Sequence, residues 1–221
     1  MVNLISALVS GILLFNKIPT VQDAAQFVAI PKTAQFLSSH KISLDDRWDT
    51  PAVNDVFRDN ILLNLAYFDG KVSSKGQIDW NLLRQPSVYH LTLNPQETFA
   101  FHDSVLPAYQ GKIVKTTNAH FRWDEGFKSD GYLIGDGVCH FASLINWSAR
   151  DAGLDVNAPT NHDFMKINEI PMEYGVSIFA NPNSYTGSAN QNLYITNNLS
   201  EPVDFKFDYD GKFLEVSVWQ L

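Results

Sequence analysis

Two glycines one residue apart, Gly135 and Gly137, stand immediately ahead of a run in which Phe141, Ala142, Leu144, Ile145, Ala149 and Ala152 recur at helical spacing, closed by Gly153. Glycines let the backbone turn tightly and approach another group closely, and one placed after the last apolar position is a C-terminal helix stop. The run therefore predicts a helix entered through a sharp turn. Cys139, the single cysteine, sits at or near its N-terminus, where unpaired amides and the helix dipole favour thiolate over thiol. The other reading is a packed cysteine, since this residue type is among the most often buried. With one cysteine in 221 residues no internal disulfide forms, and a chain of this length buries enough core to do without one.

Charged residues at 18% and aromatics at 13% place the chain with globular proteins rather than disordered ones. A net charge of −8 with no Lys/Arg run argues against a nucleic-acid partner. Leu4 to Phe15 is apolar, long enough for a signal h-region and short of the roughly 20 residues that a membrane-spanning helix needs. Export or membrane association through this segment is one expectation; packing against the domain is the other. Residues 1–49 read as that segment plus an irregular linker through Pro31, Ser38-Ser39 and Asp45-Asp46-Arg47, and residues 50–221 as the main domain.

Within that domain, Thr50-Pro51 reads as an N-cap with proline at the first helical position, opening a helix that Asp69-Gly70 ends. A short helix over 78–84 and a strand over 88–93 follow. Residues 104–134 are aromatic-rich and weakly regular, a cleft wall or a satellite core. Strands are expected at 175–180, 192–196, 203–209 and 212–219, the last two joined by the hairpin signal Asp210-Gly211. The class is α+β, with the Cys-bearing helix packed on an antiparallel β-sheet and a helical portion N-terminal to it. Histidines are scattered without metal-ligand spacing, and there is no P-loop or G-x-G-x-x-G, so no metal site or cofactor is expected.

A thiol nucleophile needs a base, and the base needs a third group to orient it. Chain order offers Cys139 as nucleophile, His162 beyond the end of the helix as base, and Asn192 at the head of a strand as orienter, with Asp163 and Asn190 as rival third members. A helix-borne cysteine against a sheet that presents histidine is similar to the layout of papain-like, transglutaminase-like and NlpC/P60-like thiol enzymes. Gly137, His140 and Trp123 are the candidate substrate-binding residues.

The chain also resembles the VanW-like family over roughly residues 50–219. Arg58-Asp59-Asn60-Ile61, Leu93 to Phe101, Gly137-Val138-Cys139, Ala152-Gly153-Leu154, His162 and Asn192 to Asn198 carry the likeness. It departs where Asp136 and Gln96 replace glycines, His140 a glutamine and Asn192 an aspartate. The resemblance implies a bacterial cell-envelope protein, exported or membrane-anchored, from a family with a member in a vancomycin-resistance cluster. Two functions follow as expectations. One is a thiol-dependent amidase, peptidase or transpeptidase acting on peptidoglycan or peptide bonds. The other is a non-catalytic peptidoglycan-binding or resistance-accessory module that depends on cleft aromatics such as Trp123. A third reading is an intracellular domain with a buried apolar N-terminus.

Overall fold

The computed structural model describes residues 33–131, 135–181 and 183–221; the apolar stretch Leu4 to Phe15 lies outside them. The fold is α+β. Strand β1 (Gln35–Ser43) leads to helix α1 (Pro51–Asp69), then the short α2 (Trp80–Leu83), β2 (Ser87–Leu93), β3 (Thr98–Ala100) and β4 (Ile113–Lys115). Helix α3 (Val138–Asp151), β5 (Asp155–Asn157), α4 (Tyr185–Asn190), β6 (Tyr194–Thr196), β7 (Val203–Tyr209) and β8 (Phe213–Gln220) complete it. The strands form an antiparallel sheet, β1-β8-β7-β2, and a smaller one, β4-β3-β6-β5, in which β3 and β4 run parallel. Among the described residues no helix is long and apolar enough to cross a membrane.

The larger sheet follows from period-2 patterning. In β7, Val203, Phe205, Phe207 and Tyr209 are buried while the residues between them are half-exposed. Helix α3 lies against β1 and β8, where the Ser38 hydroxyl donates to Ser148 O at 2.7 Å and the Ser148 hydroxyl to Val216 O at 3.1 Å. Its buried face joins the same core through Phe141, whose ring centroid is 5.8 Å from that of Phe207. Fully burying one such side chain contributes about 1.5–3 kcal/mol.

Helix α1 begins at Pro51 and ends at the left-handed Gly70, as its sequence predicts, although the Thr50 side chain makes no cap bond. It is more deeply placed than an amphipathic pattern implies. From Asp59 to Phe68 every residue is buried, with Phe68 touching both Phe99 of the small sheet and Phe207 of the large one. A helix enclosed on all sides can partner its polar residues only from within the protein; Asn64 has no partner for its carboxamide among the described residues, whereas Asp59 is fully engaged. Asp59, 1% exposed, is gripped by Arg84 through two bonds of 2.9 and 2.7 Å and by Lys128.

Two stretches differ from the sequence reading. Residues 35–43, expected within an irregular linker, form β1 and pair along β8, because the partner strand supplies the ladder that a broken apolar pattern did not reveal. Residues 175–180, expected as a strand, carry only the isolated bridge between Asn161 and Val176. Their amides are satisfied one at a time instead: Val176 by the Ser143 hydroxyl, Ser177 by Thr160 O, Ile178 by the Cys139 sulfur and Phe179 by Gln191 O.

Candidate functional site

The approach to α3 is built on α1. Asn60 accepts the Lys128 amide at 2.8 Å and donates to the carbonyls of Lys128 and Asp136 at 3.1 and 2.8 Å, stapling both ends of a loop to the helix. Gly137 then passes so close to α1 that a Cβ there would lie 2.7 Å from Phe57 O, at a φ of +95°. Both observations demand glycine. A packing requirement therefore accounts for this residue, which the sequence suggested for substrate binding, although it also borders the cavity described next.

A cavity of about 950 Å³ opens at the start of α3. Cys139, His140, His162, Gly137 and Trp123, five of the residues expected in the site, line it together. Asn192 does not. Its Oδ1 accepts the amides of His102 and Leu193 at 3.2 and 2.8 Å, and its Nδ2 donates to His102 O and Ser104 O at 3.1 and 2.9 Å. Those four bonds occupy the whole carboxamide, so it orients no second histidine. Neither rival takes its place by a bond to His162: Asn190 bonds back to Thr186 O within α4, and Asp163 is an exposed neighbour that acts on the imidazole by charge alone. The Cys-His-Asn arrangement drawn from chain order is not assembled.

Cys139 is the second residue of α3 and partly buried. The Ile178 N–H points at its sulfur from 3.4 Å, and Ser143, bonded to both Cys139 O and the Val176 amide, fixes that wall. The thiolate expected from the helix N-terminus is not favoured here. Burial, with the Asp136 charge adding to it, pushes the thiol up to about 11 against the help of the Ile178 amide. Desolvation of a nascent anion outweighs a partial helix charge.

His162 is buried, and its Nδ1 lies 3.1 Å from Met165 O. A carbonyl only accepts, so Nδ1 carries the proton and Nε2 is the acceptor nitrogen, with no hydrogen-bond partner among the described residues. Burial lowers its basicity. His140 is 5% exposed, and its ring lies 4.9 Å from Phe57 and 6.3 Å from His162. Burial, then the charge of Arg47, then His162 hold it well below the usual imidazole range, and its buried Nδ1 has no hydrogen-bond partner among the described residues. Both rings are neutral at physiological pH.

The remaining lining was not singled out by the sequence. His120 is held between Glu125 and Asp103 at 2.8 and 3.0 Å; the Glu125 bond, opposed by burial and aided by Asp103, raises it to about 9, so it is cationic. Asp136 accepts the Asp130 amide at 2.9 Å, while burial and the neighbouring Asp130 charge lift its carboxyl to about 6. Phe121, buried, adopts a φ of +60°, a left-handed conformation that strains a bulky residue and is tolerated where surrounding structure enforces it. Trp48, Phe57, Phe164 and Phe179 add aromatic surface. Trp123 is 60% exposed with Lys75 Nζ 4.9 Å from its ring centroid. The one sequence hint to this shell was the aromatic-rich stretch read as a cleft wall.

A family model described as "VanW like protein" matches residues 83–219, more than half of the chain, and the match spans α3 and every residue of the Cys139–His162 wall. The chain belongs to the VanW-like family. No curated protein and no solved structure matches it. Helix α1, which fixes the loop into α3, lies outside the matched range.

Proposed function

We propose that this VanW-like protein is a binding module of the bacterial cell envelope whose cavity takes a peptidoglycan fragment without cleaving it. The observation that carries this reading is the setting of Cys139: a thiol whose sulfur faces the Ile178 amide and is bonded to no base among the described residues, pushed up to about 11 by burial, in a cavity walled by aromatic rings. A thiol nucleophile at neutral pH needs its proton removed, and His162, turned by Met165 O and made less basic by burial, is not engaged with it. Aromatic faces with a few polar groups are the usual make-up of a ligand cavity. Envelope location rests on the family and on the apolar Leu4 to Phe15.

Calorimetric titration with a soluble disaccharide-peptide from peptidoglycan tests it. Binding should weaken roughly tenfold in Trp123→Ala and stay within about twofold in Cys139→Ser, with the mass of the fragment unchanged after long incubation. The second reading, a thiol hydrolase or transpeptidase, draws on the shared cavity of Cys139 and His162. Product that forms with the wild type and vanishes in Cys139→Ser would replace the first reading with it.

A further inference from the structure

A wall fragment has two chemically different parts. Its stem peptide carries carboxylates and a backbone able to pair with a strand edge, whereas its sugars are rings with apolar C–H faces and hydrogen-bond donors around the rim. The cavity offers the peptide little. Its described cations, His120 and Arg122, are each already held by carboxylates, His120 by Glu125 and Asp103 and Arg122 by Asp124 and Glu125. A peptide carboxylate would have to compete with ion pairs already made. The wall beside Cys139 is closed to a peptide backbone as well. Peptide addition to a strand draws on a row of unclaimed N–H and C=O groups, and the amides from Val176 to Phe179 are taken one by one by Ser143, Thr160, Cys139 and Gln191.

A sugar finds more. Trp123, Phe164 and Phe179 border the cavity and are each more than half exposed. A pyranose laid on such a ring buries the apolar face of each while its hydroxyls stay at the edge. His162 sets an acceptor beside that surface: its ring centroid is 4.1 Å from that of Phe164, and its Nδ1 is committed to Met165 O. That bond fixes the tautomer and leaves a lone pair on Nε2, which has no hydrogen-bond partner among the described residues. Unlike His140 Nδ1, this nitrogen is not sealed from solvent.

We infer that the cavity binds the glycan part of a wall fragment, with an N-acetylated hexose on the aromatic border donating a hydroxyl or amide hydrogen to His162 Nε2 and the stem peptide left outside. This rests on the binding reading above and narrows it to the sugar. His162 is then a ligand-binding residue that acts as a neutral acceptor.

Saturation-transfer NMR on the 221-residue chain with a soluble disaccharide-peptide tests it, because aromatic protons of the protein are saturated and the signal passes to the ligand protons that touch them. The strongest transfer is expected on the sugar ring and N-acetyl protons, with little on the stem peptide. By calorimetry the disaccharide without its peptide should bind within about tenfold of the whole fragment. His162→Phe, which keeps a ring and removes the acceptor, should weaken that binding roughly three- to tenfold, the range for one neutral hydrogen bond. Transfer to the peptide as strong as to the sugar, or a bare disaccharide that does not bind, overturns the glycan inference and leaves the wall-binding reading standing. No binding of the fragment or of either part overturns both. Unchanged affinity in His162→Phe overturns the role of Nε2. A near-ultraviolet circular dichroism spectrum matching the wild type shows that this variant is folded; if it is not, Phe164→Ala, which removes an exposed ring, replaces it and should weaken the disaccharide by a similar factor.

Discussion

His102 and the His140–His162 pair sit in one domain and are treated in opposite ways. His102 is fully buried, yet its Nε2 donates to Gln191 O at 3.0 Å, its Nδ1 accepts the Ser104 amide at 3.3 Å, and its backbone is gripped at both N–H and C=O by Asn192. Every polar atom there has a partner, which is what a stable interior requires. Among the described residues at the cavity, His140 Nδ1 and His162 Nε2 have no hydrogen-bond partner, and Phe121 is held at a strained φ. A satisfied network such as that of His102 marks the scaffold, although Asn64, fully buried in α1, also lacks partners for its carboxamide among the described residues, so an unmatched polar atom points to a ligand only where it borders a cavity.

The comparison is broken hardest at Gly137. If the cavity region were loosely built, Gly137→Ala would be tolerated; a Cβ 2.7 Å from Phe57 O at a φ of +95° predicts a loss of about 3 kcal/mol or more in urea unfolding. The unmatched side chains therefore ride on a rigid backbone. Asn192→Ala comes next. Removing its carboxamide strands the amides of His102 and Leu193 and two carbonyls in the interior, at about 2–3 kcal/mol, while fragment binding by the folded fraction should not change. A catalytic Asn192 would give the reverse pattern, with stability kept and function lost.

What the sequence disclosed follows the reach of its signals. Local punctuation was legible: Pro51 and Gly70 bound α1, Gly137 and Gly153 bracket α3, and Asp210-Gly211 joins β7 to β8. Long-range pairing was not, so β1 passed for linker until its partner β8 was placed beside it. The site divides the same way. Cys139, His162 and Trp123 were found because residue type and chain order suggest chemistry, and they do share a cavity. Asn192 was misassigned because order says nothing of which histidine a carboxamide meets: His102, ninety residues away, claims it. Asp136, noted only as a departure from the family pattern, and His120, one of the scattered histidines, were given no role because an acid or an imidazole acquires its character only from what surrounds it.

A smaller effect tests the cavity side alone. His162→Ala should cost less than about 1 kcal/mol, because one hydrogen bond to a carbonyl is lost from a ring bordering open space. Alkylation of Cys139 should be slow at neutral pH, should accelerate toward a midpoint of about 11, and should follow the same profile in the variant. A lower midpoint that rises without His162 would reveal an ion pair and restore the thiol-enzyme reading.

An effect of similar size lies at Asp136 and is read from stability against pH. Burial, with the Asp130 charge behind it, raises its carboxyl from 3.8 to about 6 in the folded protein. The folded state then binds a proton more tightly than the unfolded chain, so this group's contribution is fully present below the unfolded value. It declines as pH rises through that interval and stays lost above about 6. Asp136→Asn is neutral throughout and lacks the decline. The variant should therefore gain on the wild type between acid and neutral pH, by about 1 kcal/mol once partial solvent screening is allowed for. Curves that run parallel across that interval would place Asp136 among the satisfied residues and erase the distinction between the two regions.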